Sequence, residues 1–322
     1  ARQIDTGEYT TIKDLSVSPL GDVAFMASAP GITDRVVRWD GQRLHIEARS
    51  TGDAIDPAYL AHLQPISWRA PDGMEVYGLY APPANPRYTS QGLPPAIVYF
   101  HGGPTSASWV RFSPEASYFA SRGYGWLEVN YRGSSGYGRT YRNALRQRWG
   151  ETDVEDALGA AQALAEQGLA DPKRLVIRGG SAGGYTVLNA LVRHPGVFKA
   201  GVNLFGVSNL FDLATDTHKF EERYLDSMVG PLPEAAARYH AWSPIFHVAN
   251  LRDPMAVFQG SVDKVVPPAQ SEAIVAVLRQ KNIPYIYRLY EGEGHGFRKS
   301  ENIADMLQQT ERFLQQQVLF AA

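Results

Sequence analysis

The chain has 322 residues, a formal net charge of −2 and no cysteine. This charge gives no electrostatic reason to expect a nucleic acid or an anionic membrane surface as a partner, and the lack of thiols excludes disulfides, thiol catalysis and cysteine zinc sites. No apolar run approaches the length that spans a bilayer. The length predicts one large domain or one domain plus a small appendage, and the hydrophobic content of 44% can supply a substantial core.

The first 52 residues predict short antiparallel strands, in a pattern like one blade of a β-propeller. Asp40-Gly41 lies between two alternating runs, which is a strong hairpin signal. A blade buries its faces against neighbouring blades, yet the pattern occurs once in this chain. We therefore expect residues 1–52 to be part of a propeller whose other blades lie outside this chain. The alternative is a private β extension packed on a domain formed by residues 53–322.

The start of the chain gives little information on location. Residues 1–5 do not have the composition of a signal peptide, and they need not be the natural start of the protein. We expect a cytoplasmic protein.

From residue 53 onward, strand patterns alternate with helical patterns. After an edge hairpin over 66–80, continuous apolar runs such as 96–100 indicate strands buried on both faces. Thr152 and Glu155 form a capping box that opens a helix to about residue 167. This alternation predicts an α/β protein with a doubly wound, mostly parallel sheet. Asp153 and Asp156, in the first turns of that helix, are explained by capping and by the helix dipole.

A possible nucleophile lies where the apolar run 175–177 meets a helical pattern. There Gly179, Ser181 and Gly183 form G-x-S-x-G, the layout of a nucleophile elbow. So sharp a turn leaves room only for glycine two positions away on either side. It also places the serine oxygen at a helix N-terminus, which favours negative charge. A bare match is common, and a glycine-rich turn with a serine by chance is the alternative.

A general base and a carboxylate are needed to activate the serine. In the α/β-hydrolase arrangement they follow it in the order acid, then histidine. Asp263 comes just after the strand pattern 255–260, and His295 just after the strand pattern 285–290. Both therefore lie past the carboxyl end of a strand, where open α/β sheets bind their ligands. The sequence predicts a triad of Ser181, Asp263 and His295.

Four segments, taken together and in order, resemble the catalytic domain of the prolyl oligopeptidase family of serine peptidases. They are H-G-G-P at 101–104, N-Y-R-G-S-S-G-Y-G at 130–138, G-G-S-A-G-G-Y at 179–185 and E-G-H-G-F at 293–297. The acylaminoacyl-peptidase and dipeptidyl-peptidase-like branches are the most similar, and the resemblance runs from about residue 64 to the C-terminus. It implies an α/β-hydrolase fold, a propeller ahead of it and a short peptide as substrate.

Asp212 and Asp216 compete with Asp263 for the role of the acid, because they follow the strand after the elbow. Asp263 is preferred since it directly follows a later strand and matches the family motif. For the oxyanion we expect backbone N–H donors from Ala182 and Gly103. Several relatives have tyrosine where this chain has His101, and we expect His101 to brace its loop.

The segment 209–247, between the nucleophile and the acid, is expected to lie over the mouth of the site. An aromatic stripe there fits a pocket wall as well as a core. The candidate pocket residues are Tyr185, Phe211, Phe220, Tyr224 and Val266.

The function that the sequence favours is a serine peptidase acting on short peptides through an acyl-enzyme. A carboxylesterase is the alternative, because the same motifs serve esters equally well, and an inactive binding module is a third reading that an intact triad disfavours. No cofactor is expected, and no H-E-x-x-H or other metal-binding spacing occurs. An oligomer is compatible with the sequence.

Overall fold

The structure is a computed structural model that describes residues 3–52, 55–89, 91–216 and 223–320. Its strands are β1 (Thr11–Val17), β2 (Val23–Ala29), β3 (Ile32–Trp39), β4 (Leu44–Arg49), β5 (Gln64–Arg69), β6 (Glu75–Ala81), β7 (Ala96–Phe100), β8 (Gly125–Asn130), β9 (Leu175–Gly180), β10 (Ala200–Leu204), β11 (Met255–Gly260) and β12 (Tyr285–Tyr290). Its α-helices are α1 (Pro114–Ala120), α2 (Gly138–Asn143), α3 (Thr152–Glu166), α4 (Ala182–Arg193), α5 (Leu210–Asp216), α6 (Tyr224–Met228), α7 (Ala236–Trp242), α8 (Pro268–Gln280) and α9 (Ser300–Leu314). None of these helices is long and apolar enough to cross a membrane.

The chain divides into two compact units. One consists of Ala1–Pro65, Leu79–Gly92 and Trp109–Trp126, and the other of Ile66–Gly78, Leu93–Ser108 and Leu127–Ala322. The boundary expected from the sequence, at residues 52 and 53, remains a prediction about how the whole protein is organised.

The first unit contains a four-stranded antiparallel sheet in the order β1-β2-β3-β4, which has the form expected of a propeller blade. Phe25 pairs with Val37 across β2 and β3, and both side chains are buried with Ala27 in a small core. The hairpin expected at Asp40-Gly41 joins β3 to β4, and Gly41 has a φ of +97° that favours glycine. In contrast to that core, apolar side chains on and after β1 are exposed, namely Leu15, Val17 and Leu20.

The larger sheet has eight strands in the order β12-β11-β10-β9-β7-β8-β6-β5. From β12 through β11, β10 and β9 to β7, each strand is parallel to the next. Their side chains are almost all buried in β7, β9, β10 and β11, because helices cover parallel sheets on both faces. The α/β-hydrolase architecture expected from the sequence is confirmed.

The predicted capping box of α3 is wrong. The helix begins at Thr152 itself, with Glu151 in the cap position, because the amides of Glu151 and Thr152 already donate to the Arg148 carbonyl. Asp153 and Asp156 point into the protein, where both are buried. Both carboxylates have a partner distant along the chain, and Asp153 also has a local one, as described below.

Candidate active site

Ser181 lies in a strained turn between β9 and α4. Its φ is 55° and its ψ −121°, a conformation that residues other than glycine rarely adopt. The flanking glycines are required by space: a Cβ on Gly179 would overlap the backbone of Gly183, and a Cβ on Gly183 would overlap the Phe100 carbonyl. The G-x-S-x-G pattern is therefore a steric consequence of turning this tightly against β7.

The three residues predicted as a triad are joined by two short hydrogen bonds. His295 Nε2 lies 2.8 Å from Ser181 Oγ, and His295 Nδ1 lies 2.8 Å from Asp263 Oδ2. Since an ionised carboxylate only accepts, Nδ1 carries the proton, and Nε2 is left to accept from the serine hydroxyl. The arrangement can remove the Ser181 proton as the oxygen attacks an electrophile.

Asp263 is fixed in place by its own loop. Its Oδ1 accepts from the amides of Val265 and Val266, both at 2.9 Å, and the carboxylate is buried. These bonds leave Oδ2 facing the histidine. The structure thus brings Asp263 to His295, while Asp212 is exposed on α5. The Asp216 side chain lies outside the described residues.

The histidine loop is held by Glu293, a residue that the sequence reasoning passed over. Its carboxylate accepts from the amides of Arg298 and Lys299 at 3.0 and 2.9 Å, and from Asn302 Nδ2 at 2.8 Å. The hydrogen bond from Asn302 and those from the two amides lower the pKa of the Glu293 carboxyl. An acidic residue inside a glycine-rich loop is the signal that could have identified it.

Both expected oxyanion donors lie beside the serine. Gly103 and Ala182 line the same cavity as Ser181, and Ala182 opens α4, whose first amides have no carbonyl to bond within the helix. The loop of Gly103 lies close to the elbow, because a Cβ on Gly102 would come within 3.2 Å of the Gly180 carbonyl. A carbonyl oxygen held near Ser181 could therefore meet amides from both sides.

His101 braces this loop from within. Its Nδ1 lies 3.0 Å from the Gly102 carbonyl and its Nε2 lies 2.8 Å from Ser134 Oγ. The ring stacks on Tyr131 at 4.5 Å, and the Tyr131 hydroxyl donates to the His101 carbonyl at 3.1 Å. Burial lowers the pKa of His101 to about 4. The neutral ring therefore donates through Nδ1 and accepts through Nε2.

The N-Y-R-G-S-S segment supplies a second brace for the same loop. Asn130 Oδ1 accepts from the Ser108 amide at 2.7 Å, and Asn130 Nδ2 donates to the Ser108 carbonyl at 3.0 Å. The Ser135 amide donates to the Ser106 carbonyl at 2.8 Å. Residues 101–108 are thus held at both ends.

A cavity of about 740 Å³ opens beside Ser181. Its wall is mostly apolar or aromatic and is formed by Tyr99, Trp149, Phe205, Val207, Leu213, Tyr224, Leu225, Val265 and Val266. His295 is the only titratable imidazole, carboxyl or amine among the described lining residues. Thr105 Oγ1 and the Tyr224 hydroxyl lie 3.1 Å apart and form a polar point on this wall.

The candidate pocket residues divide into three groups. Tyr224 and Val266 line the cavity, and Phe220 lies outside the described residues. Two of the expectations are corrected. Tyr185 is fully buried and donates its hydroxyl to the Trp242 carbonyl at 2.8 Å. Phe211 packs against Tyr239, and neither residue is among those that line the cavity. The sequence reasoning missed Trp149, Phe205, Val207, Leu213 and Leu225.

Across the described part of the chain, no group of three histidine or acidic side chains could hold a metal ion.

Comparison with known proteins gives the same family throughout. The model of the prolyl oligopeptidase family matches residues 110–319. The chain is 36% identical over 240 residues to dipeptidyl peptidase family member 6 of Caenorhabditis elegans, a match that covers 71% of this chain and 32% of that protein. It is 34% identical to dipeptidyl aminopeptidase BIII of Pseudoxanthomonas mexicana, over 69% of this chain and 33% of the relative.

Solved structures agree. A puromycin-hydrolyzing peptidase of Mycobacterium tuberculosis superposes with a TM-score of 0.93 at 40% identity, over 97% of this chain and 48% of that one. An acylaminoacyl peptidase of Pyrococcus horikoshii, at 22% identity and a TM-score of 0.85, shows the same fold. The chain spans about a third of the length of these curated relatives and about half of the first solved one. It belongs to the prolyl oligopeptidase family of serine peptidases.

Proposed function

We propose that this chain carries the catalytic apparatus of a serine peptidase that cleaves short peptides through an acyl-enzyme. The observation that carries the proposal is the pair of 2.8 Å hydrogen bonds that join Asp263, His295 and Ser181 at a nucleophile elbow. Relatives named as dipeptidyl peptidases and acylamino-acid-releasing enzymes support short substrates.

In the first step, Ser181 Oγ attacks the scissile carbonyl while His295 Nε2 takes the hydroxyl proton. Asp263 keeps the other ring nitrogen protonated and stabilises the imidazolium. The amides of Gly103 and Ala182 donate to the oxyanion as it forms. His295 then gives its proton to the leaving amine, which departs and leaves an ester on Ser181. A water molecule, deprotonated by His295, hydrolyses that ester and restores the serine.

The cavity indicates the kind of side chain that the acyl part of the substrate carries. Trp149, Val207 and Leu225 are among its apolar wall residues. A charged side chain would lose its hydration there without gaining an opposite charge. Bulky apolar side chains are therefore the preferred occupants.

The whole protein is proposed to include more of a β-propeller. The solved relatives extend to about twice the length matched here, and residues 1–52 have the strand pattern of a blade. A propeller over the site would admit short peptides and exclude folded proteins.

The test compares three substrate classes side by side: peptide p-nitroanilides, N-acetyl amino acid amides and short-chain p-nitrophenyl esters. Peptidase activity predicts turnover of the anilides, with phenylalanine preferred over lysine before the cleaved bond. Ser181→Ala should lower turnover by about 10³-fold or more and abolish labelling by a fluorophosphonate probe. Ser300→Ala, at the exposed start of α9, is the matched serine control and should retain both.

Two results would contradict the proposal. Unchanged hydrolysis by the Ser181→Ala variant would show that the serine is not the nucleophile. Turnover of esters alone, with no cleavage of anilides or amides, would favour the carboxylesterase.

A further inference from the structure

Asp153 is a buried carboxylate with one local partner, three residues earlier in the chain, and one tertiary partner on α4. Its side chain has no exposed surface. Oδ1 accepts from the Gly150 amide at 2.6 Å, and Oδ2 accepts from Thr186 Oγ1 at 2.6 Å. Bonds to an ionised acceptor are roughly twice as strong as neutral ones. The residue therefore ties the turn before α3 to α4, the helix that begins directly after Ser181.

The turn that Asp153 holds carries a wall of the cavity. Trp149 precedes Gly150 and lines the cavity next to Ser181. Its ring packs on Tyr185 at 4.4 Å between centroids, and its amide donates to the Met228 carbonyl at 3.3 Å. The indole is thus one rigid surface against which a substrate side chain would pack.

Gly150 leaves this turn little freedom. Its φ is +98°, in the region that favours glycine, and an added Cβ would overlap the Tyr185 hydroxyl. That hydroxyl is itself held by the Trp242 carbonyl at 2.8 Å. The Gly150 amide is consequently presented to Asp153 in a single orientation. Loss of the carboxylate would release the only side-chain anchor that the described residues give this amide.

From this geometry we propose that Asp153 is a positioning residue, which fixes Trp149 relative to Ser181 and so sets the preference for a bulky apolar side chain in the cavity. The proposal rests on the proposed peptidase function for its choice of substrates. It differs from a purely structural role, because both partners of Asp153 belong to segments that form the cavity and the elbow. Asp156, one turn later on α3, instead bonds the Arg132 side chain and amide.

The experiment measures the ratio of kcat/KM for matched anilides with phenylalanine and alanine before the cleaved bond. Asp153→Ala should lower this ratio roughly ten-fold or more, mainly through a higher KM for the phenylalanine substrate. The fluorophosphonate labelling rate should stay within about three-fold, because the triad is untouched. Asp153→Asn keeps an acceptor for Gly150 and should restore most of the ratio.

Asp253 offers a matched control beyond the other end of α4. Both of its oxygens lie 3.1 Å from the Gly196 amide, and its side chain is buried. Asp253→Ala therefore removes the same kind of anchor from a glycine amide, and it should leave the substrate ratio unchanged. Thr186→Val, which removes the helix side of the link alone, should lower the ratio in the same direction even if Asp153→Ala does not fold.

A double mutant tests whether Asp153 affects the substrate ratio through the Trp149 side chain. If Asp153 acts through the indole, Asp153→Ala should change nothing further in a Trp149→Ala background. The proposal is overturned if Asp153→Ala and Thr186→Val both keep the wild-type ratio, or if the ratio falls equally in the Trp149→Ala background. Failure of the peptidase function is distinguishable, because the wild type would then cleave no anilide. The same ratio would be read from N-acetyl-phenylalanine and N-acetyl-alanine p-nitrophenyl esters.

Discussion

Replacing His101 with glutamine should remove a large part of the acid sensitivity of folding. Burial lowers the pKa of His101 from 6.5 to about 4, and it outweighs the hydrogen bond to the Gly102 carbonyl, which raises the pKa. As the pH falls between these values, the unfolded chain takes up a proton that the native state refuses. The contribution of neutral His101 to the free energy of unfolding is therefore complete above about pH 6.5 and declines towards pH 4.

The size of the effect follows from the two pKa values. The full difference corresponds to about 3 kcal/mol, and about 2 kcal/mol of it is already lost at pH 5. Glutamine does not titrate, and its side-chain oxygen can still accept from Ser134. The His101→Gln variant should therefore lack this component of the pH dependence.

Two buried carboxyl groups change the stability in the opposite direction as the pH falls. The prediction therefore concerns the difference in free energy of unfolding between wild type and His101→Gln. Burial raises the pKa of Asp153 and of Asp156 to about 6, and the native state gains stability from them as the pH falls below that value. Both variants contain these groups, which cancel when wild type and His101→Gln are compared.

The assay is urea unfolding followed by tryptophan fluorescence, at several values between about pH 7.5 and about pH 5. The free energy of unfolding of the wild type, relative to that of His101→Gln, should fall by about 2 kcal/mol from about pH 7.5 to about pH 5. Parallel losses in the two proteins would refute the reasoning, since they would show that His101 titrates alike in the native and unfolded states.

Two further predictions concern contacts in the interior of the protein. Gly183→Ala should destabilise the protein by about 1–3 kcal/mol in urea unfolding and slow fluorophosphonate labelling, because the new methyl overlaps the Phe100 carbonyl. Gly52→Ala, which adds a methyl in open space, is the control. Equal labelling of the two variants would contradict the prediction. Arg132→Met should cost about 3–5 kcal/mol, because it removes the guanidinium from the buried Asp156 carboxylate and leaves it only the backbone amide of residue 132. Adding Asp156→Leu should recover most of that loss.

The elbow and the order of the triad could be predicted because they depend on local chemistry. A strand that turns into a helix around Ser181 requires glycine at fixed spacing, and this spacing is visible in the sequence. Asp263 and His295 follow strand patterns whose carboxyl ends meet at one edge of a parallel sheet. The parallel sheet therefore brings these two residues, distant along the chain, close together in space.

The cavity wall was harder to predict for a physical reason. Every side chain from Ala182 to Val192 in α4 is buried, so no apolar stripe indicates which face of the helix meets the cavity. Tyr185, a candidate pocket residue, instead donates its hydroxyl to the Trp242 carbonyl. Trp149 has no regular element around it in the sequence, and its position depends on contacts distant along the chain.

The loops that surround the site are held by side chains that bond to backbone groups. His101 does this for the loop of Gly103, Asp153 for the turn of Trp149, and Glu293 for the loop of His295. Such bonds leave no periodic pattern in the sequence, because each involves a single polar residue and the backbone groups it contacts. They also resemble ordinary capping, as Asp153 did at the start of α3. A site that stabilises an oxyanion through backbone amides needs those amides fixed before the substrate arrives, and buried polar side chains can provide that fixation where helix and strand hydrogen bonds end.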